Sequence, residues 1–261
     1  MGLAQKTIYY RHLTDDVVVN QHQDYKLPAD YRYLRSSAYQ RGQRAFQLLV
    51  RAVTAPIVAW GMHVHFANRD LLAPYRHQAK YIYANHTAPV GDALKPFQVA
   101  CDLAVLVAPS NLKLPILGHF LPLGGVIPIP GHLHQYRDFL AAIKATITAN
   151  RTLFIYPEAH VWPFATMIRP FEPGAFRYPV QQPAPVFSMT TTYQRTPWHC
   201  RPKATVFFDG PFYPDASLPA KAQQQQLQAQ VQAAMEQRVL ASTYTYINYQ
   251  PTTNTKGVSH D

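Results

Sequence analysis

The sequence predicts an α/β domain, a mostly parallel sheet flanked by helices, with an apolar helical segment ahead of it. Three observations lead there. From residue 79 onward, short apolar runs of strand length alternate with longer helical or loop stretches, as in strands joined by crossover helices. Hydrophobic residues are 48% of a 261-residue chain and aromatics 13%, enough to bury one sizeable core. Ala45 to Met62 is strongly apolar, whereas residues 1–40 show no clear period.

The elements follow in order. Residues 1–40 mix aromatic, charged and turn-forming residues and read as an irregular N-terminal extension. Residues 41–75 form the apolar helical segment. It is preceded by Arg41 and Arg44 and interrupted by Arg51 and Pro56, which suits a kinked helix lying in a membrane interface better than a clean span, because a central Arg is costly in hydrocarbon. The same pattern fits a helix packed on the protein's own core; the basic flank favours the interface. Residues 76–245 form the α/β domain. Lys80 to Ala84, Gly125 to Ile129, Thr152 to Tyr156, Ala184 to Met189 and Lys203 to Phe208 read as strands. His134 to Ala149 is an amphipathic helix with Phe139, Leu140, Ile143 and Ile147 on its apolar face, and Gly174 to Gln182 a short one. Ala220 to Leu240, rich in Gln and Ala, is a long closing helix. Residues 246–261 are a tail that frays from Pro251 onward.

Charge and cysteine content narrow the setting. A net charge of +10 points to anionic partners such as phosphates, acidic lipids or nucleic acid. No basic–aromatic motif of a nucleic-acid binder is present, so nucleic acid is not among the expected partners. Cys101 and Cys200 lack a paired spacing, which argues against a disulfide framework or cysteine zinc site and suits a reducing, cytoplasmic setting. The residues from Met1 to Asp30 lack the apolar core of a secretory signal, and no myristoylation pattern follows Gly2.

Acidic residues are scarce: Glu158, Glu172 and Glu236 are the three Glu, beside eleven Asp. The chain has no Gly-x-Ser-x-Gly, no phosphate-binding Gly-x4-Gly-Lys-Ser/Thr and no Gly-x-Gly-x-x-Gly after a strand, which removes the usual support for hydrolase, P-loop and dinucleotide chemistries. His63 with His65, and His132 with His134, lack nearby carboxylate or cysteine partners and read as incidental rather than as a metal site. What stands out is Asn85-His86 at the end of a strand, followed by Asp92. A His held by Asp has a fixed tautomer and can take a proton from an alcohol. Six residues of straight helix would put the two on different faces. They meet only if His86 sits on the loop and Asp92 reaches back from the first turns of the following helix. A second constellation, Tyr156-Pro157-Glu158-Ala159-His160, ends another strand and is followed by Trp162, Arg169 and Arg177. A third, Leu121 to Ile129, carries Gly124 and Gly125 into a strand.

In this order the blocks resemble those of the glycerolipid acyltransferases, the 1-acylglycerol-3-phosphate acyltransferase family: Asn-His with a following Asp, a Gly-to-strand block, a Pro-Glu block, and an apolar strand with Pro, here Ala184 to Met189. The match covers roughly residues 79–190. It implies that His86 and Asp92 are catalytic, and that Gly125 to Pro130 with Pro157, Glu158 and their neighbours shape the acceptor site. Asn85 belongs to the first of these blocks. It also implies an acyl thioester donor, acyl-CoA or acyl carrier protein, a lysophospholipid acceptor, no cofactor and no metal. The expected location is the cytoplasmic face of the cell membrane, against its anionic surface. Three features depart from the family pattern. Five residues rather than four separate His86 from Asp92, Ala159-His160 replaces Gly-Thr-Arg after Glu158, and the second block lacks its basic residue. The acceptor phosphate is therefore assigned to Arg169, Arg177 or His160, with Arg able to bind it bidentately. Backbone N–H groups near the Gly124–Gly125 turn are the candidate oxyanion donors. A catalytically silent lipid-binding protein would share the basic, apolar N-terminal segment but would tolerate loss of His86.

Overall fold

The computed structural model describes residues 6–18, 24–196 and 201–252. In chain order its elements are β1 (Lys6–Tyr10), α1 (Ser37–Pro56), β2 (Val64–Phe66), β3 (Lys80–Ala84), α2 (Gly91–Val99), β4 (Leu103–Val107), α3 (Leu117–Gly124), β5 (Val126–Pro128), α4 (Tyr136–Thr148), β6 (Thr152–Ile155), α5 (Arg177–Gln181), β7 (Val186–Gln194), β8 (Lys203–Phe212), α6 (Ala220–Val239) and β9 (Ile247–Pro251). Seven strands form one sheet in the order β2-β8-β7-β3-β6-β4-β5. From β7 to β5 every pairing is parallel; β7 and β8 pair antiparallel, and β2 runs parallel to β8. The reversal follows from the connection: β7 ends at Gln194 and β8 begins at Lys203, too short a link for the crossover that a parallel pair needs.

Both faces of the sheet are covered, so its central strands β3 and β6 are buried throughout. Alternation then sorts their side chains. Tyr81, Tyr83, Leu153 and Ile155 pack with Phe139 and Ile143 of α4, Tyr178 of α5 and Leu227, Val231 and Met235 of α6. Ile82, Ala84, Phe154 and Phe187 face the other way, toward Val58 and Leu72, with Leu94 and Phe97 of α2 against them. Buried tyrosines need acceptors, and backbone carbonyls supply them: Tyr83 donates to Ala175 O at 2.8 Å and Tyr81 to Gln182 O at 2.9 Å.

Helix α1 is inverted relative to an ordinary surface helix. Its buried residues are Gln43, Gln47 and Thr54. Gln47 Nε2 donates to Leu103 O (2.9 Å) and Gly124 O (3.0 Å), while its Oε1 accepts from Leu103 N (3.1 Å); Gln43 Nε2 donates to Pro122 O (2.8 Å). These are backbone groups at the start of β4 and in the last turn of α3. The outward residues include Leu48, Leu49, Val53, Ile57 and, beyond the helix, Trp60, which is 76% exposed. Among the described residues, no helix is long and apolar enough to cross a membrane.

Several elements differ from the sequence reading. The expected irregular stretch over residues 1–40 contains β1, and the expected tail over residues 246–261 contains β9; the two pair in parallel, Lys6 with Ile247 through Tyr10 with Pro251. Two short strands far apart in sequence signal nothing until they meet. Strands β2 and β4 were also not expected, although Leu103 to Val107 is an uninterrupted apolar run. The readings that fall on Met1 to Gln5, Cys200 and the tail beyond Thr252 lie outside the described residues.

Gly125 ends α3 at φ 94°, and a Cβ there would lie 2.5 Å from Gln47 Nε2 and 2.5 Å from Leu103 O. Gly125→Ala should lower the free energy of unfolding by at least about 2 kcal/mol, combining left-handed strain with a backbone clash; urea titration measures it.

Candidate active site

His86 and Glu158 stand beyond the C-terminal ends of the parallel strands β3 and β6, where loops leaving such a sheet gather. The loop from Asn85 to Val90 is short, and α2 begins at Gly91, so Asp92 lies in the first turn and Asp92 N donates back to Ala88 O at 2.7 Å. That geometry brings the two side chains together. His86 Nδ1 is 2.7 Å from Asp92 Oδ2, which also accepts from Ala88 N at 2.9 Å. Asp92 is an acceptor only, so Nδ1 carries the proton and the lone pair stays on Nε2. The His86 side chain is 23% exposed while Asp92 is buried. The base therefore meets solvent and its partner does not.

The ring is held on both sides. Tyr156 lies against it at 4.6 Å between centroids and donates its hydroxyl to Asp92 O at 2.6 Å. Burial holds the Tyr156 phenol well above its ordinary range, reinforced by the Asp92 charge, so it stays a donor at neutral pH. Lys95 Nζ lies 2.7 Å from Asp92 Oδ1 and donates to Thr191 Oγ1 at 2.5 Å. Burial pushes the Asp92 carboxyl up, but the Lys95 ammonium and the His86 hydrogen bond outweigh it and hold it below the usual carboxylate range.

A second layer fixes the loop. Glu158 Oε2 accepts from His86 N at 3.1 Å and pairs with Arg169 Nη2 at 2.7 Å; Oε1 accepts from Arg169 N at 3.2 Å. Trp162 N donates to His86 O at 3.0 Å and Phe164 N to Thr87 O at 2.7 Å, tying the β6 loop to the β3 loop along its length.

No protein-family model and no characterised sequence matches the chain. Among solved structures it is similar to PlsC. That crystal structure, the 1-acyl-sn-glycerophosphate (LPA) acyltransferase from Thermotoga maritima, superposes with a TM-score of 0.55 at 13% identity, over 78% of this chain and 84% of that one. At this identity the likeness establishes the fold: a mixed α/β arrangement with a mostly parallel sheet flanked by helices, as in PlsC.

On that fold the sequence-predicted residues separate into two groups. Asn85, His86, Asp92, Pro157, Glu158, His160 and Arg169 gather at the β3 and β6 loops. Gly125 does not: it precedes β5, toward the opposite end of the strands, and its N–H caps α3 on Pro122 O at 3.3 Å, so it offers no oxyanion donor. Its glycine is required by the packing of Gln47. Arg177 opens α5 on the sheet face opposite α2, with its guanidinium over the rings of Tyr136 (4.6 Å) and Tyr178 (5.1 Å).

Burial reassigns three others. Asn85 is fully buried and exchanges hydrogen bonds with the Thr191 backbone (2.8 and 3.0 Å), so it presents no surface to a substrate. Arg169 is 1% exposed, with Nη2 on Glu158 and His160 O and its guanidinium over the Trp162 ring, and burial closes it to a phosphate. Pro157 is buried, its carbonyl accepting from Glu172 N at 2.8 Å. His160 stays partly exposed, with Nδ1 3.5 Å from Asp16 Oδ2. Trp162 is fully buried between Tyr10 and Tyr249. Lys95 and Thr191 were not singled out by the sequence, and Tyr156 was named only as the first residue of the second constellation. Only Lys95, three residues after Asp92 on a helix, carried a signal that could have found it.

Removing one partner of the buried pair isolates its role. Arg169→Met should destabilise the protein by about 3–5 kcal/mol in chemical denaturation, because Glu158 is left charged and buried, and Glu158→Gln in the same chain should restore part of the loss.

Proposed function

We propose that this chain is an acyltransferase in which His86 is the general base that moves a fatty acyl group from a thioester to a hydroxyl of a lysophospholipid or glycerophosphate-type acceptor. The observation that carries the reading is His86 Nδ1 held by buried Asp92, with the imidazole 23% exposed at the ends of the strands of a PlsC-like sheet. Nε2 takes the proton of the acceptor hydroxyl as that oxygen attacks the thioester carbonyl carbon. The imidazolium is stabilised by Asp92. The tetrahedral intermediate collapses with cleavage of the carbon–sulfur bond, and the departing thiolate takes the proton from Nε2, giving an ester and a free thiol. The donor is acyl-CoA or acyl carrier protein. With Arg169 and Arg177 otherwise engaged, His160 is the candidate of the three to meet an acceptor phosphate.

The same proposal puts the protein on the anionic, cytoplasmic surface of a membrane, where both substrates reside. The support is the outward apolar side of α1 with Trp60, beside Arg41 and Arg44, in a chain of net charge +10.

Labelled acyl-CoA and acyl carrier protein donors, offered with a panel of lysophospholipids, test the chemistry. Wild type should transfer label; His86→Ala should lose roughly 100- to 10,000-fold in kcat/KM, and Asp92→Asn should lose less than His86→Ala. Undiminished transfer by His86→Ala sinks the mechanism. Failure with every donor and acceptor, with vesicle binding intact, leaves the lipid-binding reading. For the membrane, co-sedimentation with anionic vesicles is the readout. Val53→Ser with Trp60→Ser should weaken partitioning by more than about tenfold while the melting temperature holds, and wild-type binding should fall as salt rises.

A further inference from the structure

Resting on the reading of His86 as a base, we propose that Lys95 is a positioning residue of that base: it loads the second oxygen of Asp92, fixes the carboxylate in line with the imidazole, and balances its charge so that the resting pair is uncharged overall.

The placement is specific. Lys95 is 1% exposed, and a buried ammonium is costly unless fully partnered. A helix position of this kind would be filled at less cost by an apolar side chain. Instead Nζ reaches Asp92 Oδ1 and Thr191 Oγ1. The two carboxylate oxygens are thus divided: Oδ2 serves His86 and Ala88 N, and Oδ1 serves Lys95. With both loaded, the carboxylate cannot rotate away from the ring.

Charge makes the second half of the case. A buried Asp92 alone would favour the imidazolium, which cannot accept a proton. The other titratable groups around the pair do not relieve this. Tyr156 from the end of β6 and Tyr193 from β7 are both held far above neutrality by burial and stay uncharged. Glu158 is already balanced by Arg169, and the segment after α1 contributes Met62. Lys95 is the cation that lies against Asp92.

The test follows the His86 imidazole by NMR across pH in wild type, Lys95→Met and Lys95→Gln, alongside the pH profile of kcat/KM for acyl transfer. Both variants should move the His86 midpoint upward by about one pH unit or more, with the acidic limb of kcat/KM moving in step. Lys95→Gln, which keeps a donor to Oδ1, should retain more kcat than Lys95→Met. A midpoint that stays put or falls overturns the proposal, as does a chain that folds with neither replacement, since Lys95 is then a requirement of the core. The titration needs no turnover: if wild type transfers no acyl group, the enzymatic reading fails while the charge balance is still decided.

Discussion

The buried carboxylate of Glu158 is the interaction on which the rest of the site depends. It accepts from the His86 backbone and from Arg169, and so joins the loop after β3, the loop after β6 and the segment leading to α5. A charge in that position tolerates no loosening, because any gap would leave it unsolvated and unpaired. The rigidity of the His86 loop is therefore enforced by electrostatics that are not themselves presented to a substrate.

Around this anchor, polar groups at the strand ends are arranged as two neutral pairs. Glu158 with Arg169 is sealed beneath the loop, where Trp162 covers the guanidinium and is in turn enclosed by Tyr10 and Tyr249. Asp92 with Lys95 lies against α2 and faces the imidazole. The small β1–β9 sheet brings the two ends of the chain onto Trp162, so segments far from the chemistry in sequence support the loop that carries it.

Helix α1 shows how polarity can be used backwards. Its glutamines satisfy backbone groups at the start of β4 and in the last turn of α3, a service that a leucine could not provide, and its apolar residues turn outward. A helix docked by hydrogen bonds leaves its hydrophobic side available for another apolar phase. That division of labour is the physical support for the proposed contact with a membrane surface.

The sequence by itself determined the α/β class, five of the strands and the helices α4 and α6, because each rests on local periodicity, and it set the condition for His86 to meet Asp92, a loop followed by the first turns of a helix. It also placed Glu158 at a strand end. Tertiary structure alone decided the rest. The fate of Asn85, Arg169 and Gly125 turned on burial: whether a polar group meets water or a carbonyl from another strand is set by packing partners as distant in sequence as Thr191 is from Asn85. The β1–β9 pairing was silent for the same reason, and Lys95, though three residues after Asp92, has its role fixed only where Thr191 lies beside it. A charge or a short strand acquires its role only when the fold brings its complement within about 3 Å, and no local pattern encodes that distance.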